Sequence, residues 1–179
     1  MHMVVELLLV AVAGVVAIAL LSATRRPDTF LVQREAVINA APERVFAEVD
    51  DLHRWMEWSP WTKIDPACRY NYAGPESGVG SSVAWEGNKK AGAGKMTIVE
   101  SLPGALVNIR LEFLKPFAAT NEAVFSFAAE GTATRVRWTM TGKNNFFFKL
   151  MHAVMNMDKM VGPDFERGLG QLKAVVEQK

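Results

Sequence analysis

Six segments with the character of β-strands follow one another between residues 69 and 141, and this succession constrains the fold more than any other feature. The predicted strands cover residues 69–73, 81–86, 94–102, 105–114, 120–129 and 132–141. Pro103-Gly104 and Glu130-Gly131 are connections of hairpin length, and strands joined by hairpins are antiparallel neighbours. The sequence therefore predicts one antiparallel sheet.

The last two of these strands carry apolar residues at every second position, as strands with one buried face do. The apolar sets are Ala123, Phe125, Phe127 and Ala129 in one strand, and Val136, Trp138 and Met140 in the next. We expect both sets to face a common core.

Helical patterns precede and follow the sheet segments. A strand over residues 30–40 comes before Pro42, which suits the first turn of a helix. A second short helix is predicted to be capped by Asp50 or Asp51, to pass through Trp55 and to end at Ser59-Pro60. Strands grouped as hairpins, with helices kept apart from them, favour the α+β class.

The C-terminal part of the chain returns to helical spacing. Apolar residues recur along one stripe from about residue 145 to residue 178. Gly162-Pro163 interrupts this stripe, and proline removes a helical hydrogen bond. The pattern predicts one long helix with a kink or break at that dipeptide.

A single apolar run, Met3 to Ala23, has the length of a membrane span. Only Glu6, Gly14 and Ser22 within it are not hydrophobic. About 20 such residues cross the hydrocarbon core of a bilayer. We predict an anchor over residues 1–23, a linker over 24–29 and a folded body over 30–179. A cleaved signal peptide and a buried core helix remain alternatives.

The charges beside the run indicate its orientation. Arg25 and Arg26 follow it directly, and no lysine or arginine precedes it. The positive-inside rule places the C-terminal side in the cytoplasm. The sequence therefore predicts a single-pass protein of the inner membrane with a cytoplasmic body.

Composition excludes several classes of function. The chain of 179 residues carries 20 basic and 19 acidic side chains, so its formal net charge of +1 does not indicate nucleic-acid binding. The single cysteine, Cys68, cannot form a Cys-based zinc site. His2, His53 and His152 have no metal-ligand spacing. We expect no metal and no cofactor.

Two carboxylates are candidates for acid–base chemistry. Glu86 and Glu112 each lie in a predicted strand among apolar neighbours, so either could point inward. The alternative is that each alternates outward into solvent. The sequence leaves both possibilities open and offers no further catalytic residue.

Aromatic and methionine side chains form the strongest compositional signal. Large, stiff apolar groups suit the lining of a ligand pocket, although they also fill ordinary cores. We predict ligand contacts from Trp58, Trp61, Trp85, Phe113, Phe117, Trp138 and Met155.

Several segments together resemble the START-like superfamily, in its bacterial SRPBCC or polyketide cyclase/dehydratase branch. They are Trp-Ser-Pro-Trp at 58–61, the glycine-rich loop 74–80, Trp-Glu-Gly-Asn at 85–88, and residues 111–117, 138–142 and 157–162. The resemblance implies a helix-grip fold, in which an antiparallel sheet curls around a long C-terminal helix and leaves a cavity. It implies no fixed catalytic set.

Three functional hypotheses follow. The first is a membrane-anchored body that binds a small hydrophobic molecule or lipid in the cavity implied by the resemblance. The second is cyclase or dehydratase chemistry, for which Glu86 or Glu112 would be the acid–base group. The third is a protein-interaction module, which would present an exposed apolar groove.

Overall fold

The computed structural model of the chain describes residues 27–143 and 156–178, together with the isolated positions Glu6 and Gly14. The remainder of the predicted anchor, Met3 to Ala23, lies outside the described residues. Within the described part of the chain, no helix is long and apolar enough to cross a membrane.

The described residues form seven strands and three helices. The strands are β1 (Thr29–Ile38), β2 (Arg69–Ala73), β3 (Ser82–Glu86), β4 (Ala93–Leu102), β5 (Leu106–Lys115), β6 (Ala119–Glu130) and β7 (Ala133–Lys143). The helices are α1 (Pro42–Asp50), α2 (Trp55–Trp58) and α3 (Met157–Gln178).

All seven strands belong to one antiparallel sheet in the order β1-β7-β6-β5-β4-β3-β2. The first strand of the sequence pairs with the last, so that Thr29 lies opposite Lys143 and Ile38 opposite Thr134. Hairpin turns or longer loops connect the strands from β2 to β7 in sequence order. This arrangement confirms the predicted antiparallel sheet and, with α3 packed across it, the helix-grip form of the α+β class.

Alternation along the strands determines which side chains form the core. In β6, Phe125 is fully buried and Phe127 nearly so, while the outward-facing Glu122 is exposed. In β7, Val136 and Trp138 are buried in the same way. The core lies between this inner face of the sheet and the helices α1, α2 and α3, as the period-two pattern predicts.

Two local predictions about helices differ from the structure. The short helix α2 ends at Trp58, directly before Ser59, as predicted, but it begins at Trp55 rather than at Asp50 or Asp51. The Asp51 carboxylate accepts the backbone N–H of His53 at 2.9 Å and holds a turn there. Of the predicted kink or break at Gly162-Pro163, the break is absent, because α3 continues through Pro163 to Gln178. The side chain of Arg34 crosses the helix at Gly162 and holds this turn against β1.

Candidate ligand-binding site

A cavity of about 380 Å³ lies between the curled sheet and the first half of α3. Every strand except β1 contributes to its wall, as do α2 and the loop that follows it. Most of the lining is apolar. The aromatic lining residues are Trp55, Trp61, Tyr70, Tyr72, Trp85, Phe113, Trp138 and Phe165.

Trp138 forms the base of the cavity within a stack of rings. Its indole lies parallel to Phe165 of α3 at 4.0 Å between ring centroids, and parallel to Phe125 at 4.6 Å. Trp61 approaches edge-on at 5.5 Å. Because Trp138 is only 2% exposed, its ring is held in place by these neighbours.

Trp85 and Phe113 form the opposite wall. Their rings meet edge-to-face at 5.8 Å, and the Trp85 indole N–H donates to the carbonyl oxygen of Ala91 at 3.2 Å. The ring crosses β4 at Gly94, where a Cβ would overlap the indole and the Glu112 carbonyl oxygen. Glycine at this position lets the Trp85 ring lie against the strand.

Methionine side chains form a flexible part of the cavity wall. The lining methionines are Met56, Met96, Met140, Met157 and Met160. Methionine is unbranched and polarisable, so it adapts to ligands of different shape. This composition favours a ligand recognised by its hydrophobic volume rather than by a precise outline.

Two tyrosine hydroxyl groups, those of Tyr70 and Tyr72, belong to the cavity wall. Burial raises the pKa of Tyr70 to about 12, with a smaller contribution from its hydrogen bond with Cys68. Burial also raises the pKa of Tyr72, whose ring stacks on His53 at 4.0 Å. Both phenols therefore remain protonated and offer neutral hydroxyl groups.

Among the described residues that line the cavity, two carry a charged side chain. Lys90 belongs to the β3–β4 turn and is exposed, and Asp164 of α3 forms an ion pair with Arg167 at 3.0 Å. A charge that reaches water or has a partner does not require an oppositely charged ligand. The site is therefore suited to an uncharged hydrophobic molecule.

Comparison with known families agrees with this geometry. The model of the family described as "Polyketide cyclase / dehydrase and lipid transport" matches residues 29–177, which is most of the chain. The chain belongs to this family. No curated protein matches it. The family description names both lipid transport and polyketide cyclase or dehydrase activity.

Several solved structures share the fold of this chain although their sequences are 11–16% identical to it. Protein CV1439 from Chromobacterium violaceum aligns with a TM-score of 0.59 and 16% identity, over 85% of this chain and 99% of its own. DynU16, from the dynemicin biosynthetic locus, gives 0.59 and 12%, over 85% of this chain and 48% of its own. Ara h 8.0201 gives 0.57 and 11%, over 84% and 99%. These similarities show the fold alone.

The structure brings four of the predicted ligand contacts of this family member together in the cavity wall: Trp61, Trp85, Phe113 and Trp138. Trp58 is fully buried beside them, and its indole N–H donates to the Glu48 carbonyl oxygen at 3.0 Å, so it packs behind the wall. Phe117 is 52% exposed on the β5–β6 turn. Met155 lies outside the described residues.

Neither candidate glutamate reaches the cavity. Glu86 ends β3 in solvent, where it pairs with Arg69 at 2.7 Å and with Lys115 at 3.3 Å. Its pKa is lowered, chiefly by the hydrogen bond from Lys115. Glu112 stands between the lining residues Leu111 and Phe113, so strand alternation directs it to the outer face.

Arg34 connects β1 with the helix that lines the cavity, and its spacing in the sequence does not indicate this contact. It breaks the apolar face of β1, and the structure shows that its guanidinium reaches α3, where it pairs with Asp158 at 2.7 Å and Glu166 at 2.6 Å. Four of the five described α3 residues that line the cavity lie between these two carboxylates: Met160, Val161, Asp164 and Phe165. Arg34 therefore positions that wall.

Among the described residues, no group of three or more histidine, cysteine or acidic side chains is placed to hold a metal ion. His53 instead contacts the Asp51 carboxylate through Nδ1 at 3.0 Å. His152 lies outside the described part of the chain.

Proposed function

We propose that this protein binds a small, uncharged hydrophobic molecule or lipid in the cavity between the sheet and α3. The observation that carries the proposal is the cavity itself, whose volume of about 380 Å³ falls within the range of small-molecule sites. Its inner wall is aromatic and methionine-rich, and its two charged lining residues reach water or a partner. Membership of a family that includes lipid transport supports the same function.

We further propose that residues 3–23 tether this binding body to the inner membrane, with the body on the cytoplasmic side. The support is the length and hydrophobicity of the run and the two arginines that follow it. A tethered cavity would exchange its ligand with the adjacent bilayer, where hydrophobic molecules are concentrated.

A cyclase or dehydratase activity is the second candidate, and the family description favours it. Such a reaction needs an acid or base that touches the substrate. Glu86 and Glu112 do not line the cavity, so a titratable lining residue would have to serve, and Tyr70 is one candidate. Chemical change of a bound polyketide analogue, abolished by Tyr70→Phe but not by Glu86→Gln, would establish this activity.

The binding function is tested with the full chain purified in detergent. Native mass spectrometry reports any co-purified small molecule, and N-phenyl-1-naphthylamine serves as an uncharged fluorescent probe of the cavity. Leu111→Trp places a larger side chain on the half-buried lining of β5 and is expected to weaken probe binding at least ten-fold.

Leu102→Trp is the matched control, because Leu102 is an exposed leucine at the end of β4 remote from the cavity lining. We expect this variant to bind the probe as the unmodified chain does. Equal affinity in both variants and the parent, or an empty cavity that takes up no probe, would contradict the proposed function.

A further inference from the structure

The sheet has two ends, and the cavity lies at one of them. At this cavity end β1 begins opposite the last residue of β7, since Thr29 pairs with Lys143. The turns 87–92 and 116–118 close hairpins at the same end. On β7 and β5 the lining residues lie toward this end, as with Met140 and Phe113.

The turns at the two ends of the sheet carry different charged side chains. At the cavity end, the β3–β4 turn carries the exposed Lys89 and Lys90, and Lys115 precedes the β5–β6 turn. At the far end, the loop between β2 and β3 carries Glu76, and Glu130 begins the β6–β7 turn. Lys115 is paired with Glu86 at 3.3 Å, and Glu130 is paired with Arg135, so the exposed Lys89 and Lys90 of the β3–β4 turn are the basic feature of the cavity end.

Exposed apolar side chains accompany the lysines at the cavity end. Leu114 is 64% exposed and Phe117 is 52% exposed, and they flank Lys115 at the β5–β6 turn. Ile64 and Met160, which line the cavity, are also exposed by 39% and 48%. Apolar groups interspersed with lysines match the interface of an anionic bilayer, where rings and aliphatic chains enter the headgroup region.

The path of the chain directs this end toward a membrane. The apolar run ends at Ala23 and β1 begins at Thr29, at the cavity end. Six residue steps span at most roughly 20 Å even when fully extended. A helix that crosses the bilayer up to Ala23 would thus hold the cavity end within that distance of its surface, with the far end directed away.

We propose that the cavity end docks on the anionic leaflet of the membrane that holds the tether. Phe117 and Leu114 enter the headgroup boundary, Lys89 and Lys90 contact anionic lipid headgroups, and the exposed rim at Ile64 and Met160 opens toward the lipid. The orientation rests on the tether of the proposed function, but it adds a specific docking surface and its lipid chemistry.

The test uses the full chain in vesicles of phosphatidylcholine with phosphatidylglycerol. A photoreactive residue is introduced as Phe117→p-benzoylphenylalanine, and Val79→p-benzoylphenylalanine is the matched control. Val79 is a similarly exposed apolar residue, 59% exposed, in the β2–β3 loop at the far end. After illumination, mass spectrometry measures the fraction of protein cross-linked to lipid. We expect at least five-fold more lipid adduct at position 117 than at position 79.

Charge reversal tests the basic turn. Each lysine near an anionic surface contributes roughly five-fold in membrane affinity. Lys89→Glu with Lys90→Glu should therefore reduce the adduct at position 117 at least three-fold in phosphatidylglycerol vesicles. Its effect in pure phosphatidylcholine should be smaller. An equal effect in both lipids would overturn the electrostatic part of the proposal.

Two further measurements separate this proposal from the proposed function. Alkaline carbonate extraction reports the tether, and probe binding in detergent reports the cavity. Equal lipid adducts at positions 117 and 79 in a chain that resists extraction and binds the probe would overturn docking alone. Release of the chain by carbonate would overturn both the tether and the orientation derived from it.

Discussion

The guanidinium of Arg34 occupies the space where a Cβ of residue 162 would lie, so Gly162 is the position at which the β1 side chain crosses α3. From there Arg34 reaches Asp158 on one side and Glu166 on the other. Hydrogen bonds with these carboxylates, first of all Asp158, raise the pKa of Arg34. Glycine is required at position 162 because the Arg34 guanidinium approaches the helix backbone closely, and not because the backbone adopts a positive φ.

Gly162→Ala should destabilise the fold because its methyl group displaces the Arg34 guanidinium from both carboxylates. Alanine in a helix otherwise stabilises by up to about 1 kcal/mol over glycine. Gly170→Ala in the same helix is the control, since nothing lies within 4 Å of its Cβ position. Thermal unfolding should show a midpoint about 2–4 °C lower for Gly162→Ala and a raised midpoint for Gly170→Ala. A raised midpoint in both would show that Arg34 adjusts without loss.

The ion pair between Arg34 and Asp158 should make stability sensitive to acid. The hydrogen bond from Arg34 lowers the pKa of Asp158 in the folded state. A lowered pKa contributes stability that is complete above the unfolded value, about 3.9, and is lost as the pH falls through the folded value. The difference in unfolding free energy between the parent and Asp158→Asn should therefore be largest near neutral pH and shrink below about pH 4. Denaturant titrations at several pH values measure it, and a constant difference would contradict the assignment.

Gly94→Ala should disturb the cavity wall and the fold together. The added methyl group overlaps the Trp85 ring and the Glu112 carbonyl oxygen, of which the backbone oxygen has little freedom to move. Overpacking of this kind costs about 1–3 kcal/mol. We expect a lower unfolding free energy and a changed near-ultraviolet circular dichroism signal from displaced tryptophan. Gly131→Ser is the comparison variant. Gly131 has positive φ and nothing within 4 Å of its Cβ position, so this substitution strains the backbone without crowding any neighbouring atom.

Trp58→Phe should lower stability while leaving the ligand site intact. It removes the indole donor to the buried Glu48 carbonyl oxygen, a loss of about 1–3 kcal/mol when the acceptor remains unpaired. Trp85→Phe, in the cavity wall, should instead weaken binding of N-phenyl-1-naphthylamine. Equilibrium unfolding and probe titration on both variants distinguish the roles. Weaker probe binding by Trp58→Phe at preserved stability would place Trp58 in the site.

The strands of this fold are predictable because their signals are local. Alternation in β6 and β7, together with the turns at Gly104 and Gly131, places strand ends within two residues of those in the structure. Both glycines have positive φ, which other residues rarely adopt. Pro42 likewise marks the first residue of α1.

The spacing of the aromatic residues in the sequence does not predict which of them fill the core and which line the cavity. Trp58 and Trp61 belong to one short segment, yet one is sealed in the core and the other lines the cavity. Only the packing of α2 against β7 and α3 separates them. The surroundings of Glu86 are also non-local, since its partners Arg69 and Lys115 come from neighbouring parts of the sheet.

The pairing of β1 with β7 has a consequence for biosynthesis. The ion pair between Glu35 and Arg137 joins residues 102 positions apart, so the first strand to leave the ribosome lacks its partner until nearly the whole chain has been made. Until then β6 presents an unpaired edge, and such edges recruit other chains. Long-range pairing also slows folding. Closure of the sheet is therefore a late event in synthesis, because it waits for β7 to emerge.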